Sequence, residues 1–123
     1  MISNKLILIV DDDIPLLENT AYMIETLGYE VITARDGMEA VDVYKSARPL
    51  LTFMDIKMPK QDGFDAFFKI KEFDSDAKVI LITAYNVDEK KHLKAKSMSL
   101  LETIGKPYDI EKLEDVINKY LNS

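Results

Sequence analysis

The chain has 123 residues, a length that fits one domain, 1–123, burying roughly two thirds of its unfolded surface and leaving no room for a second catalytic or effector domain. Its composition, 47% apolar and 31% charged, is that of a globular protein; no apolar run approaches the ~20 residues that span a bilayer and no secretory signal opens it, so membrane insertion is not expected and a cytoplasmic location is. The absence of cysteine excludes disulfides, thiolate zinc sites and cysteine nucleophiles, and a net charge of −6 speaks against nonspecific nucleic-acid binding.

Five short apolar runs alternate with segments of helical period, which predicts an α/β fold, a doubly wound five-stranded parallel sheet with five helices. The first strand, near 5–10, runs through Leu6-Ile7-Leu8-Ile9-Val10 straight into Asp11-Asp12-Asp13. Leu17, Ala21, Ile24 and Leu27 then recur at spacings of three and four, one buried helix face that Gly28 stops. A strand near 29–34 leads to a helix after Asp36 that carries Ala40, Val41, Tyr44 and Ala47 and ends at Pro49. The third strand, near 50–54, ends at Asp55, and the third helix carries Phe64, Phe67, Phe68 and Lys71 with its polar and apolar faces poorly separated.

The fourth strand, near 78–83, closes on Thr83. The fourth helix, roughly 87–98, has the weakest pattern, because only Val87, Leu93, Ala95 and Met98 are apolar and lysine dominates. The single histidine, His92, stands among those lysines and reads as part of a solvated helix face, a poor candidate for a metal ligand or catalytic group. A fifth strand near 102–105 leads into Lys106-Pro107, and Ile110, Leu113, Val116, Ile117, Tyr120 and Leu121 form the stripe of the last helix.

In such a sheet the strands point one way, so residues that follow different strands meet at one edge. Asp11 to Asp13, Asp55, Thr83 and Lys106 follow strands one, three, four and five. Any one of these aspartates alone reads as a helix cap or turn residue; together they form a carboxylate cluster with an amine and a hydroxyl. Such a set suits Mg²⁺, a hard cation that takes one or two carboxylates plus water and phosphate oxygens, whereas a transition metal would want imidazole or thiolate. A carboxylate can also act as a phosphoryl-accepting nucleophile, and Asp55, alone at its strand end, is the candidate.

Asp11-Asp12 after the first strand, Asp55 followed by Met58-Pro59 and Asp62-Gly63, Thr83-Ala84 and Lys106-Pro107 together resemble the receiver domain of bacterial two-component response regulators, from about Lys5 to Tyr120. The resemblance implies a flavodoxin-like strand order 2-1-3-4-5. It also implies that Asp55 accepts a phosphoryl group from a sensor histidine kinase or a histidine phosphotransfer protein, without independent substrate turnover. Asp12 and Asp55 would bind Mg²⁺ directly, Asp11 through water, and the backbone carbonyl of Lys57 would add an oxygen. Lys106 would pair with phosphoryl oxygens and Thr83 would donate its hydroxyl to one. Asp13 is expected to cap the following helix, Gly63 to supply a turn of positive φ and Pro59 to stiffen the loop. Output would pass by conformational change or onward phosphotransfer to a downstream protein target or effector domain. The face of the fourth helix, fifth strand and fifth helix would be the contact surface, on a monomer or a weak phosphorylation-dependent dimer.

Three departures from the family pattern stand out. Thr103 occupies the position of an aromatic residue that many receivers use to couple the threonine to a rotating ring. Ser99-Leu100 stand where a Gly-Ala commonly precedes the fifth strand, which leaves the end of the fourth helix undefined. Lys57 and Tyr85 stand two beyond the acceptor and two beyond the threonine, where they are either solvent-facing or a shield that keeps hydrolytic water from the acyl phosphate. Two other classes compete: a Mg²⁺-dependent aspartyl-phosphate hydrolase, for which Ile14-Pro15 are the wrong residues after Asp11-x-Asp13 and which leaves Asp55 without a role, and a receiver-like module that is never phosphorylated, which would ordinarily lack the acceptor or the lysine.

Overall fold

Every predicted strand and helix forms, and a computed structural model describes residues 5–59, 61–84 and 88–121. In chain order they are β1 Leu6–Val10, α1 Ile14–Thr26, β2 Glu30–Ala34, α2 Gly37–Ala47, β3 Leu51–Asp55, α3 Gly63–Phe73, β4 Val79–Thr83, α4 Glu89–Ser97, β5 Glu102–Gly105 and α5 Ile110–Leu121. The strands pair in parallel in the order β2-β1-β3-β4-β5.

Alternation along each strand sends successive side chains to opposite faces of the sheet and builds two cores. Leu8, Val10, Met54, Val79 and Leu81 pack with Ala40, Tyr44, Phe64, Phe67, Ile70 and Ala95 of α2, α3 and α4. Ile7, Ile9, Leu51, Phe53, Ile80, Ile82 and Ile104 pack on the other face with Leu17, Ile24, Leu113, Val116 and Ile117 of α1 and α5. The central strands β1, β3 and β4 are covered on both sides, which is why they read as unbroken apolar runs rather than as alternating ones.

All five helices start on an aspartate whose carboxylate accepts a backbone N–H one turn in: Asp13 from Leu16, Asp36 from Glu39, Asp62 from Asp65, Asp88 from Lys91 and Asp109 from Lys112. Each cap stabilises its helix by about 1 kcal/mol and fixes where the chain leaves the sheet edge. Asp13 thus has the capping role expected of it. At the far end of α1, Gly28 holds a φ of +97°, the left-handed stop foreseen from the sequence.

Three local expectations change. Gly63 has no positive φ; it is required because a Cβ there would press into the backbone oxygen of Asp55, so it lets α3 start against the end of β3. Lys71, on the apolar stripe of α3, is buried, and its Nζ donates to the carbonyls of Ser75 at 2.7 Å and Ala77 at 3.0 Å, closing the chain after the helix. Burial lowers its pKa, with Asp74 and Asp76 opposing. At the end of α4, Ser99 takes the left-handed position itself, with φ +64°, while the N–H of Leu100 reaches the carbonyl of Ala95 at 3.1 Å.

Candidate functional site

β1 and β3 are adjacent and end in Asp11 and Asp55 at the point where the chain winds to either side, β1 toward β2 and β3 toward β4. Asp55 is the last residue of β3, paired with Ile82 in register, and its side chain is 8% exposed. Asp11 follows β1 directly, with its N–H on the carbonyl of Ala34 at 3.2 Å and its side chain 4% exposed. Asp12, one residue on, is exposed. One carboxylate oxygen from each of Asp11, Asp12 and Asp55 lies within 4.8 Å of the others.

Lys106 answers this charge. It follows β5, its N–H donates to the carbonyl of Thr83 at 2.9 Å, and its Nζ reaches Oδ2 of Asp55 at 2.9 Å and Oδ2 of Asp11 at 3.0 Å. The other oxygens are more lightly held: Oδ1 of Asp11 accepts from the N–H of Asp13 at 2.9 Å, and Oδ1 of Asp55 from that of Lys57 at 3.3 Å. The acids and Lys106 line an open cleft of about 400 Å³, with Lys57 and Ala84 on its wall.

Burial is the dominant influence on the Asp55 carboxyl and pushes its pKa above the ordinary value; Lys106 pulls it down and Asp11 adds to the rise. Burial works against the charge of Lys106 too, yet its hydrogen bonds to Asp55 and Asp11, and their charges, hold its pKa above that of an ordinary lysine. Lys106 is thus shared between two buried carboxylates. The donors are all hard oxygens in a cluster of net negative charge, and they fit Mg²⁺.

The structure therefore brings Asp11, Asp12, Asp55, Lys57 and Lys106 to one cleft. Thr83 arrives at its margin, bonded through its carbonyl to Lys106, while the next residue, Ala84, is the one on the wall. Tyr85 and Val87 lie outside the described residues. Thr103 lies away from the cleft, and it meets a residue whose placement the sequence misjudged. His92 is half-buried, with Nε2 3.1 Å from Oγ1 of Thr103 and its ring tilted 47° against Phe64 at 6.0 Å. The run of neighbouring lysines hid this. One turn on from Asp88, position 92 points back between α3 and β5, while Leu93 beside it is 64% exposed.

Comparison with known proteins gives the same arrangement a family. The response regulator receiver domain pattern matches residues 7–118. Sporulation initiation phosphotransferase F of Bacillus subtilis (strain 168) is 36% identical over 124 residues, covering 96% of this chain and 94% of its own. Chemotaxis protein CheY of Treponema pallidum (strain Nichols) is 39% identical over 118 residues, 94% of this chain and 81% of its own. The crystal structure of a CheX-CheY-BeF3-Mg²⁺ complex from Borrelia burgdorferi superposes with a TM-score of 0.84 at 33% identity, over 95% of this chain and 90% of that one. With its strand order, its acidic pocket and these relatives, the chain belongs to the response regulator receiver domain family, the phosphoacceptor signalling modules of two-component and phosphorelay systems.

Proposed function

We propose that Asp55 is the phosphoacceptor of this chain and that the donor is the phosphohistidine of a sensor histidine kinase or a histidine phosphotransfer protein. The observation that carries the reading is Asp55 itself, a buried carboxylate at the floor of an open cleft, paired at 2.9 Å with one lysine and crowded by Asp11. An oxygen of Asp55 attacks phosphorus, the P–N bond to the donor imidazole breaks, and the imidazole nitrogen leaves with the bonding pair and takes a proton. Burial raises the basicity of the attacking carboxylate. Lys106, already at the mouth of the carboxylate pair, neutralises charge that collects on the phosphoryl oxygens, and the hydroxyl of Thr83 supplies a further donor.

Asp12 and Asp55 would hold Mg²⁺ directly, Asp11 through water, with the backbone carbonyl of Lys57 as a further oxygen; bound there, the ion neutralises the acids and the incoming phosphoryl group. The Mg²⁺ and BeF3 named with the Borrelia CheY support this choice of cation and group. Lys57 on the cleft wall supports its half of the shielding role; Lys57 and Tyr85 together would slow water attack on the acyl phosphate. The domain, 1–123, acts as a signalling module without independent turnover, passing its state to a downstream protein.

The test is incubation with Mg²⁺ and acetyl phosphate or phosphoramidate, followed by intact mass. One phosphoryl group per chain, lost on chelation and in Asp55→Asn, supports the reading. Steady release of phosphate from unrelated phosphoesters, or no transfer at all, overturns it.

A further inference from the structure

Only Ala95 of α4 is buried among the described residues, so hydrophobic packing does little to locate this helix. Side chains reaching in opposite directions locate it instead: Lys91 and Lys94 toward α3, the latter with Nζ 4.4 Å from the centroid of the Phe68 ring, and His92 toward β5. Lys91 Nζ binds Oδ2 of Asp62 at 2.9 Å and Oδ2 of Asp65 at 3.4 Å in the first turn of α3. His92 Nε2 meets Oγ1 of Thr103 on β5 at 3.1 Å, with the ring against Phe64. The arms are unequal, since one is an ammonium shared by two carboxylates and the other a single contact between a ring nitrogen and a hydroxyl.

Both arms end on segments that carry the phosphorylation site. Asp62 closes the loop that starts at Asp55 and caps α3. Thr103 pairs in register with Leu81, and Thr83, two residues on, pairs with Gly105. Strand alternation puts Thr83 on the same face of β4 as Leu81, the face that α4 covers. The cap of α4, Asp88, comes five residues after Thr83. Beside the contact lies a groove of about 230 Å³, lined by His92, Lys96, Leu100, Leu101, Glu102 and Thr103, into which the imidazole has room to turn.

We propose that His92 is the residue that registers the state of Asp55: the His92–Thr103 contact is the weak arm of the α4 clamp, and it opens when a phosphoryl group on Asp55 draws the hydroxyl of Thr83 toward it. The ring that moves is carried by the helix, and β5 supplies only the small hydroxyl that holds it at rest. This rests on the phosphoacceptor reading. Lys91 stays bound to α3, so α4 pivots about that arm, and His92 leaves β5 for the groove.

The chain has one histidine, so its imidazole signals are identified without assignment. The experiment follows the ¹⁵N and ¹³C imidazole resonances, together with the amides around Asp55, as Mg²⁺ and then beryllofluoride are added. The expected result is a shift of Nε2 and Cε1 that tracks loading in the wild type. In Thr103→Val, a shape-preserving change, the resting resonance is displaced and does not move further, while the amides around Asp55 still report full loading. Loading of the wild type with the imidazole signals unmoved overturns the inference and leaves the phosphoacceptor reading standing. Failure of the amides around Asp55 to respond to beryllofluoride at all overturns both.

Discussion

The Nζ of Lys106 stands 2.9 Å from Oδ2 of Asp55; Lys106 directly follows β5 and Asp55 ends β3, strands that are not neighbours, with β4 between them. The ion pair therefore ties the sheet edge together across a strand, and it compensates a carboxylate that burial disfavours. Lys106→Met leaves Asp55 and Asp11 facing one another without a cation, and it lowers unfolding stability by about 2 kcal/mol in urea melts without Mg²⁺. Adding Asp55→Asn to that variant recovers most of the loss, because the residues are coupled. Additive effects of the two substitutions would show that the pair does not hold the edge.

Divalent cation binding at the acidic cluster stabilises the fold by mass action. At a Mg²⁺ concentration ten times its dissociation constant the gain is about 1.4 kcal/mol, which is a rise of roughly 5 °C in Tm for a chain of this size. Asp12→Asn removes the exposed member of the cluster and should abolish most of the rise, measured against NaCl at matched ionic strength. An equal rise in the variant would place the ion elsewhere.

Two phenols, Tyr44 buried and Tyr108 half-buried, govern part of the alkaline behaviour. Burial is the main cause of the raised pKa of Tyr108, whose hydroxyl meets that of Thr20 at 2.8 Å, and of Tyr44, which donates to Asp74 at 2.8 Å. A raised folded pKa means that the native state keeps the proton after the unfolded chain has lost it. The stabilisation is thus complete below about pH 10 and is lost as pH rises further, at about 1.4 kcal/mol per pH unit per phenol. Urea melts between pH 9 and pH 11 should show a shallower decline in Tyr108→Phe than in the wild type; identical slopes would rule out its contribution.

The strands and the convergence of Asp11, Asp55, Thr83 and Lys106 were legible because apolar runs and their terminal residues follow from chain periodicity and sheet direction alone. What stayed hidden depends on contacts between distant segments. His92 looked solvated because its neighbours are lysines, yet its contacts are Phe64 and Thr103 from other elements. Lys71 falls on the buried stripe of α3, and only the later turn around Ser75 and Ala77 provides its carbonyl partners. Gly63 was rightly seen as special, but its reason is a close approach to the backbone of Asp55 rather than its own dihedral angle.

Ser99 was recognised as a departure from glycine, and the structure shows its cost, a side chain at φ +64° at the end of α4. Ser99→Gly should stabilise the chain by up to about 1 kcal/mol, since the strain of a left-handed non-glycine residue exceeds the added entropy of the unfolded glycine. A lower urea midpoint in the variant would mean that the serine side chain makes a compensating contact.

The most direct measurement is the location of the phosphoryl group. The chain is phosphorylated in Mg²⁺ with phosphoramidate, reduced at once with borohydride, which converts an aspartyl phosphate to homoserine, and mapped by peptide mass spectrometry. Homoserine at position 55 alone, absent without Mg²⁺, is the expected result. Conversion at Asp11, Asp12 or another carboxylate with position 55 unchanged would contradict the assignment of Asp55 as the acceptor.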